Sequence, residues 1–267
     1  MRKFKIILFG STGMLGSQML RHLSKNKKFK IFEMNRKKKA KSIKININNQ
    51  EEIINRIKYI KPDYLINCIG WIKQKNINPN KAYLVNTQFP IFLSNLSLIL
   101  NYKFIHISTD CVFSGSKGAY KDNDYKDAKD LYGLSKNFGE VKNLNTCTLR
   151  TSIIGFEITR KKFGLLEWFL SQKHKVKGYN KVYFSGLTTL EMSKVIEKYL
   201  SNKKIYNQVL NVSSEYISKY TLLKIIKIIF KKDIELVKSP KIKLNRTLNS
   251  EKFRIITGYK CPSWKKM

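Results

Sequence analysis

The stretch ILFGSTGMLGSQML, with Gly10, Gly13 and Gly16 directly behind an apolar run, constrains the fold more than any other part of the chain. FKIILF (Phe4 to Phe9) is short and apolar, as expected of a strand covered on both faces. Glycines placed just after such a strand let the chain turn tightly and bring its backbone close to an anion. The first N–H groups of the next helix then face that anion. The segments that follow repeat the alternation. FKIFEM reads as a second strand, and NNQEEIINRIKYI as a helix with acidic residues in its first turn. PDYLINCIG reads as a third strand. NKAYLVNTQFPIFLSNLSLIL reads as a long helix that Pro90 bends or breaks. KFIHIS is a fourth strand, the residues around Tyr132 form a helix, and NTCTLRTS is the strand after it. The expected class is α/β: a Rossmann-type doubly wound parallel sheet over residues 1–150.

After about Thr151 the pattern is irregular. Helical segments near Gly164 to Ser171 and Thr189 to Leu200 flank a Lys-, Gly- and Tyr-rich stretch, and another helix follows at Leu222. Residues 151–267 are expected to form a smaller, mainly substrate-binding lobe packed on the first, free to return strands or helices to it. YFSGLTT (Tyr183 to Thr189) reads as a loop at the junction, where pockets form. Trp168 either lines that pocket or fills a helix interface, with the interface preferred.

The chain carries 53 Lys+Arg against 18 Asp+Glu, a formal charge of +35. The excess is almost all lysine, spread along the whole chain, whereas a reader of bases or phosphates clusters its charge and favours the arginine fork. Specific nucleic-acid binding is therefore not expected, although attraction to anionic ligands is. Cys68, Cys111, Cys147 and Cys261 lack the short spacings of zinc or redox motifs. Reduced thiols in a cytoplasmic protein are expected. The basic start followed by IILF mimics a signal peptide, but no clear cleavage site follows. No stretch of about 18 apolar residues stands out, so no membrane span is expected. LLKIIKIIF reads as an amphipathic surface helix with Lys224, Lys227 and Lys231 on one face. His22, His106 and His174 are scattered and imply no metal centre.

The GxxGxxG spacing resembles the extended form of the short-chain dehydrogenase/reductase superfamily. Two further stretches carry the resemblance: HISTDCVFSG after the fourth strand, and YGLSK on the next helix. Together they match a Ser/Thr…Tyr-x-x-x-Lys constellation. A pair at i,i+4 projects both side chains to one side of a helix. The Lys136 ammonium is expected to lower the Tyr132 phenol from its usual value of about 10. Tyr132 then gives a proton to a carbonyl oxygen while hydride reaches the carbon, and Thr109 polarises the same oxygen. The resemblance implies cofactor contacts at Gly10, Thr12, Gly13, Met14, Leu15 and Gly16. It extends them to Asn67, Ile69, Gly70 and Ser108, and to Tyr132 and Lys136. An acidic residue at the end of the second strand would hold the ribose of NAD. Asn35 and Arg36 stand there in MNRKKK, which favours NADPH with NADH possible; the alternative is one more solvated basic run.

Several phrases resemble the dTDP-4-dehydrorhamnose reductase family: KPDYLINCIG with Asn67, AYLVNTQFP with Asn86, STDCVFSG, LRTS, NRTLNSEKF and PSW. That resemblance implies NAD(P)H-dependent reduction of a 4-keto-6-deoxy sugar nucleotide, in deoxysugar or surface polysaccharide biosynthesis, with a homodimer possible. Asp110 and Asn249 are implied substrate contacts. Arg246 is either a partner of the diphosphate or an exposed surface cation. Cys111 stands where the family has tyrosine, Ile153 and Ile154 where it has an aromatic residue, and Thr247 where it has proline. Two other readings stay open: a sugar-nucleotide epimerase or dehydratase that keeps NAD bound, and a non-catalytic nucleotide-binding regulatory subunit.

Overall fold

Strand β1 (Phe4–Phe9) lies inside the main sheet, with Ile6, Ile7, Leu8 and Phe9 fully buried. An apolar run of this kind is stable only with a layer on each face. In the computed structural model, which describes residues 2–36, 42–72, 78–158 and 164–267, the chain supplies both layers. The glycine loop leads into α1 (Met14–Leu23), then β2 (Phe29–Asn35), the short β3 (Ile43–Lys44), α2 (Gln50–Ile60) and β4 (Tyr64–Asn67). A helical run follows as α3 (Pro79–Tyr83), a π-helical turn (Leu84–Gln88) and α4 (Phe89–Leu100). β5 (Lys103–Thr109) ends in a 3-10 turn (Asp110–Val112), and α5 (Leu131–Phe138) precedes β6 (Thr146–Thr151).

The rest of the chain comprises β7 (Ile153–Ile154), α6 (Leu165–Ser171), β8 (Lys175–Tyr179), β9 (Val182–Phe184), β10 (Leu187–Thr188) and α7 (Thr189–Tyr199). After these come β11 (Gln208–Asn211), β12 (Ile217–Ser218), α8 (Lys219–Ile229), β13 (Glu235–Ser239), β14 (Leu244–Asn245) and α9 (Glu251–Thr257).

The main sheet has seven strands in the order β3-β2-β1-β4-β5-β6-β11, all parallel. This is the expected doubly wound α/β architecture. One face is covered by α1, α7 and α9, through Met19, Leu23, Met192, Ile196 and Phe253. The other is covered by α2 and α4, through Ile53, Ile57, Phe89 and Leu93. A third cluster joins α6 to β8 and α8 through Leu166, Phe169, Val176, Leu222 and Ile226. The order reverses between β1 and β4, which opens a crevice at the carboxyl ends of the strands.

Some local expectations change. Pro90 does not break its helix. A proline has no N–H to offer the carbonyl four residues back, here that of Asn86. The chain absorbs the loss by widening into the π turn, where the Phe89 N–H reaches Leu84 O. The resulting run Pro79–Leu100 is long and apolar enough to cross a membrane by length and composition, contrary to the expectation that no such stretch exists; here Phe89, Leu93 and Leu96 face the sheet. Trp168 does not fill an interface, being 42% exposed on α6. Lys231 lies beyond the end of α8, in left-handed backbone at φ 48°. The irregular C-terminal region conceals short strands, too short to show a period, and β11 adds an edge to the main sheet.

Gly139, just after α5, lies against the carbonyl that Pro90 leaves without its usual donor. A Cβ there would sit 1.8 Å from Asn86 O. Gly139→Ala should therefore push α5 away from the π turn and destabilise the protein by about 1–3 kcal/mol, measured by denaturant unfolding against an exposed Ala control.

Candidate active site

The glycine loop shapes one wall of the crevice. α1 begins after Gly13 with no capping side chain among the described residues and no acidic residue in its first turn. Its positive end is thus open to an anion. The helix sits directly on the loop, since a Cβ at Gly16 would lie 2.1 Å from Gly10 O. At the end of β2, Asn35 is buried and donates to Ser11 Oγ at 2.7 Å, while its Oδ1 has no partner among the described residues. Ser11 donates in turn to Glu33 Oε2 at 2.7 Å. Glu33 is an acidic brace for the loop that sequence reading passed over because it falls two residues before the strand end. Arg36 is exposed, and the lysines at 37–39 lie outside the described residues. An uncapped helix end, a close-packed glycine loop and an orphaned amide oxygen fit the pyrophosphate and ribose of a dinucleotide.

The facing wall comes from β5 and α5. Thr109 ends β5, and its hydroxyl accepts from Cys111 N at 3.2 Å and donates to Asp110 Oδ1 at 3.1 Å. Asp130 caps α5 by accepting from Gly133 N at 3.0 Å, which sets Tyr132 in the first turn and Lys136 one turn later. The Tyr132 and Thr109 side chains line the same cleft. Asn86, fully buried in the π turn, ties this wall to β4. Its Oδ1 accepts from Trp71 N at 2.8 Å, and its Nδ2 donates to Trp71 O and Ser135 Oγ at 3.0 Å each.

Lys136 corrects an expectation. Its Nζ points down, donating to Ile107 O at 2.7 Å and lying 3.4 Å from His106 Nε2. Burial lowers its pKa to about 8, against the opposing pull of Glu140 and Cys68. Tyr132 is raised above the ordinary phenol value, not lowered. Burial is the main cause, Cys111, Asp110 and Asp130 add to it, and Thr109 offsets only part. The ammonium that was to draw the phenol down is engaged elsewhere. Asp110 is also raised by burial, with Thr109 and Arg246 pulling the other way.

Beneath the wall runs a buried ion pair. The Glu140 and Arg150 side chains are inaccessible and joined twice, Nε to Oε1 at 2.8 Å and Nη2 to Oε2 at 2.7 Å. Ser108 donates to Glu140 Oε1 at 2.7 Å, Lys126 reaches Oε2 at 3.3 Å, and Arg150 Nη1 donates to Asn211 Oδ1 at 2.9 Å. Burial would raise the Glu140 carboxyl, but Arg150, Lys126 and Ser108 hold it below its ordinary value.

The cleft between the walls has a volume of about 1130 Å³. Gly13, Met14, Leu15, Ile69 and Gly70 line it with Ser108, Thr109, Asp110, Tyr132, Lys136 and Arg246. Gly10, Thr12, Gly16, Asn35, Arg36 and Asn67 do not. Gly10, Gly16 and Asn67 shape the strand and loop ends behind it. Arg246 is not an exposed surface cation: it donates to Phe113 O at 2.8 Å and its Nη1 lies 3.5 Å from Cys111 Sγ. Asn249 is not brought to the cleft. Its Oδ1 accepts from Glu251 N at 2.8 Å, at the start of α9, and its carbonyl accepts from Asn211. Tyr183 and Phe184 line the cleft from β9, where a loop was expected, and Lys219 joins them. His106, Glu140 and Arg150 were missed as site residues. His106 and Arg150 lie within strands and Glu140 lies just beyond α5, and only the fold makes them neighbours.

A family model described as "RmlD substrate binding domain" matches residues 4–172. The chain is 30% identical over 140 residues to a Bacillus subtilis spore coat polysaccharide biosynthesis protein, SpsK, covering 51% of this chain and 47% of that one. It is 27% identical over 139 residues to a dTDP-4-dehydrorhamnose reductase of Aggregatibacter actinomycetemcomitans, covering 51% and 45%. These matches thus span about half the length of the curated relatives. The fold matches that of a Bacillus anthracis dTDP-4-dehydrorhamnose reductase solved in complex with NADP, at a TM-score of 0.84 and 19% identity over 99% of this chain and 96% of that one.

Arg150→Met should cost about 3–5 kcal/mol in unfolding free energy, because it leaves the Glu140 carboxylate buried without its counter-ion. The double variant Arg150→Met, Glu140→Gln should recover part of that loss, as read by denaturant melts of the three proteins.

Proposed function

The chain belongs to the RmlD substrate-binding domain family, and from that premise we propose that it is an NAD(P)H-dependent reductase of a 4-keto-6-deoxy sugar nucleotide. One observation carries the reading: Thr109, Tyr132 and Lys136 share a wall of the cleft whose other wall is the open N-terminal end of α1. The bound nicotinamide supplies hydride. The glycine loop and the first N–H groups of α1 hold the pyrophosphate. Asn35 and the Arg36 cation serve the ribose end, favouring NADPH. Tyr132, kept protonated by burial, donates its proton to the substrate oxygen. Thr109 donates a second hydrogen bond to that oxygen. Lys136 orients the nicotinamide ribose.

Residues 1–150 thus form the nucleotide domain, and residues 151–267 mainly the substrate lobe. The lobe's Tyr183, Phe184, Lys219 and Arg246 on the cleft support this division. Lys219 and Arg246 suit a nucleoside diphosphate, and the apolar Ile153 admits a deoxy sugar more readily than a charged one. Asp110 faces the sugar, whereas Asn249 acts only through α9. A cytoplasmic location and a homodimer complete the reading.

Purified protein should oxidise NADPH in the presence of a dTDP-4-keto-6-deoxy sugar, tested alongside the UDP and GDP counterparts by loss of nicotinamide absorbance. Tyr132→Phe should lower kcat by about 10²–10⁴-fold while leaving NADPH affinity near that of the parent. Turnover of a sugar nucleotide with NAD retained and not consumed would move the assignment to an epimerase or dehydratase. A Tyr132→Phe protein that works unchanged in the cell would point to a regulatory subunit.

A further inference from the structure

The floor under Lys136 is a chain of hydrogen bonds whose direction is set from one end. The Ile69 N–H donates to Asn67 Oδ1 at 3.0 Å, which fixes which end of that amide is the oxygen. The Asn67 Nδ2, a donor only, then faces His106 Nδ1 at 3.3 Å. His106 Nδ1 must accept. His106 is fully buried and its pKa lies well below the ordinary value, through burial first and the Lys136 charge second, so the ring is neutral. A neutral imidazole that accepts at Nδ1 carries its hydrogen on Nε2, and Nε2 lies 3.4 Å from Lys136 Nζ.

An ammonium has no lone pair. With Lys136 charged, either Nε2–H meets Nζ–H, or the other tautomer sets Nδ1–H against the Asn67 amide. With Lys136 as an amine, every link is satisfied: Nζ accepts from His106 Nε2–H and donates to Ile107 O at 2.7 Å. We propose that His106, oriented by Asn67, is a positioning residue that stows Lys136 as an uncharged amine in the free protein, and that nucleotide binding draws Nζ off His106 with uptake of one proton from solvent. The balance is simple: R–NH₂ and H⁺ become R–NH₃⁺, with no other bond made or broken. The inference rests on the nucleotide reading above.

The remaining titratable groups around Nζ leave this balance in place. Glu140, one helical turn on, favours the ammonium, but its charge is spent on Arg150. The Cys68 thiol, at the end of β4, is pushed up to about 12 and stays neutral. Tyr132, one turn back, is held protonated. Because the free-protein lysine titrates at about 8, the amine rests in place above that pH, and the ammonium already predominates below it. Once nucleotide is bound, the lysine returns toward its ordinary value of about 10.4. Proton uptake on binding is therefore confined to the window between these two values, and affinity for the nucleotide falls as pH rises through it.

Two measurements test this. NADPH is titrated calorimetrically into the protein in pairs of buffers with different ionisation enthalpies, which counts protons. Uptake should approach about one proton per nucleotide at about pH 9 and vanish at about pH 6. In His106→Leu, which removes the Nε2–H, the midpoint of the free-protein titration should rise by about one pH unit. Separately, the nitrogen resonances of ¹⁵N-histidine-labelled free protein at about pH 9, assigned with His174→Asn and His22→Gln, should show His106 neutral with hydrogen on Nε2. This second readout needs neither the variant at 106 nor any nucleotide. NADPH binding without proton uptake at any pH, or hydrogen on Nδ1 of His106, overturns the stowage while leaving the reductase reading intact. A protein that binds neither NADPH nor NADH overturns the reductase reading and the coupling with it.

Discussion

A guanidinium sealed against a carboxylate is the fixed point of this molecule. Arg150 and Glu140 cannot be solvated where they lie, so every remaining donor and acceptor on them must be met by protein. That requirement draws in Ser108 from the end of β5, Asn211 from β11 and the Asp122 carbonyl. The Phe113 ring lies 5.0 Å from the guanidinium carbon. The result is a knot binding the strand that ends in Thr109, the residue that follows α5, and the strand returned late in the chain. Replacing the pair with apolar residues need not cost stability in itself. What the charges add is direction: each partner is accepted in one orientation only, and the wall carrying Tyr132 inherits that precision.

Above the knot, the free protein keeps its reactive groups in low-charge forms. Burial raises Tyr132 and lowers Lys136, both toward neutrality. The same desolvation acts on an acid and on a base and moves them in opposite directions. In the proposed reading, the ligand's phosphates meet the open end of α1, and its ribose presents hydroxyls to the lysine. In the proposed reading, the charge needed for catalysis appears where and when the ligand is present.

The fold was legible because it follows from periodicity. Buried parallel strands read as apolar runs, and the glycine loop marked the first crossover. The cleft-facing members of the site were legible as a constellation, since YGLSK and STD sit at strand and helix ends where few residue types serve. What escaped was long-range and singular. His106 and Arg150 lie among other polar residues of their strands, and Glu140 follows a helix end; nothing local distinguishes them from solvated residues. β11 is only QVLN, too short to display alternation. Asn249 failed for the opposite reason. The motif NRTLNS was recognisable, but an asparagine oxygen two residues before a helical N–H meets that N–H as readily as a ligand, and here Glu251 N took it. Lys136 was read correctly as a neighbour of Tyr132 along the helix. Spacing could not say which way four methylenes would turn.

The large positive charge then has a role that needs no patch. With 53 basic residues against 18 acidic ones, the whole surface attracts anions, but at physiological ionic strength that attraction fades within about 8 Å. It speeds encounter and confers no selectivity. Selection has to occur inside, where screening is weak and the groups are few. An anion drawn in by the field finds the open N-terminal end of α1, a lysine bonded to Ile107 O and a half-buried Arg246 already bonded to Phe113 O. In the proposed reading, a ligand must reach from the helix end to the lysine to draw Nζ off His106. On that reading the surface field gathers nucleotides and simple phosphates alike, and the hydrogen-bond chain under Lys136 responds only to the nucleotide that spans the cleft.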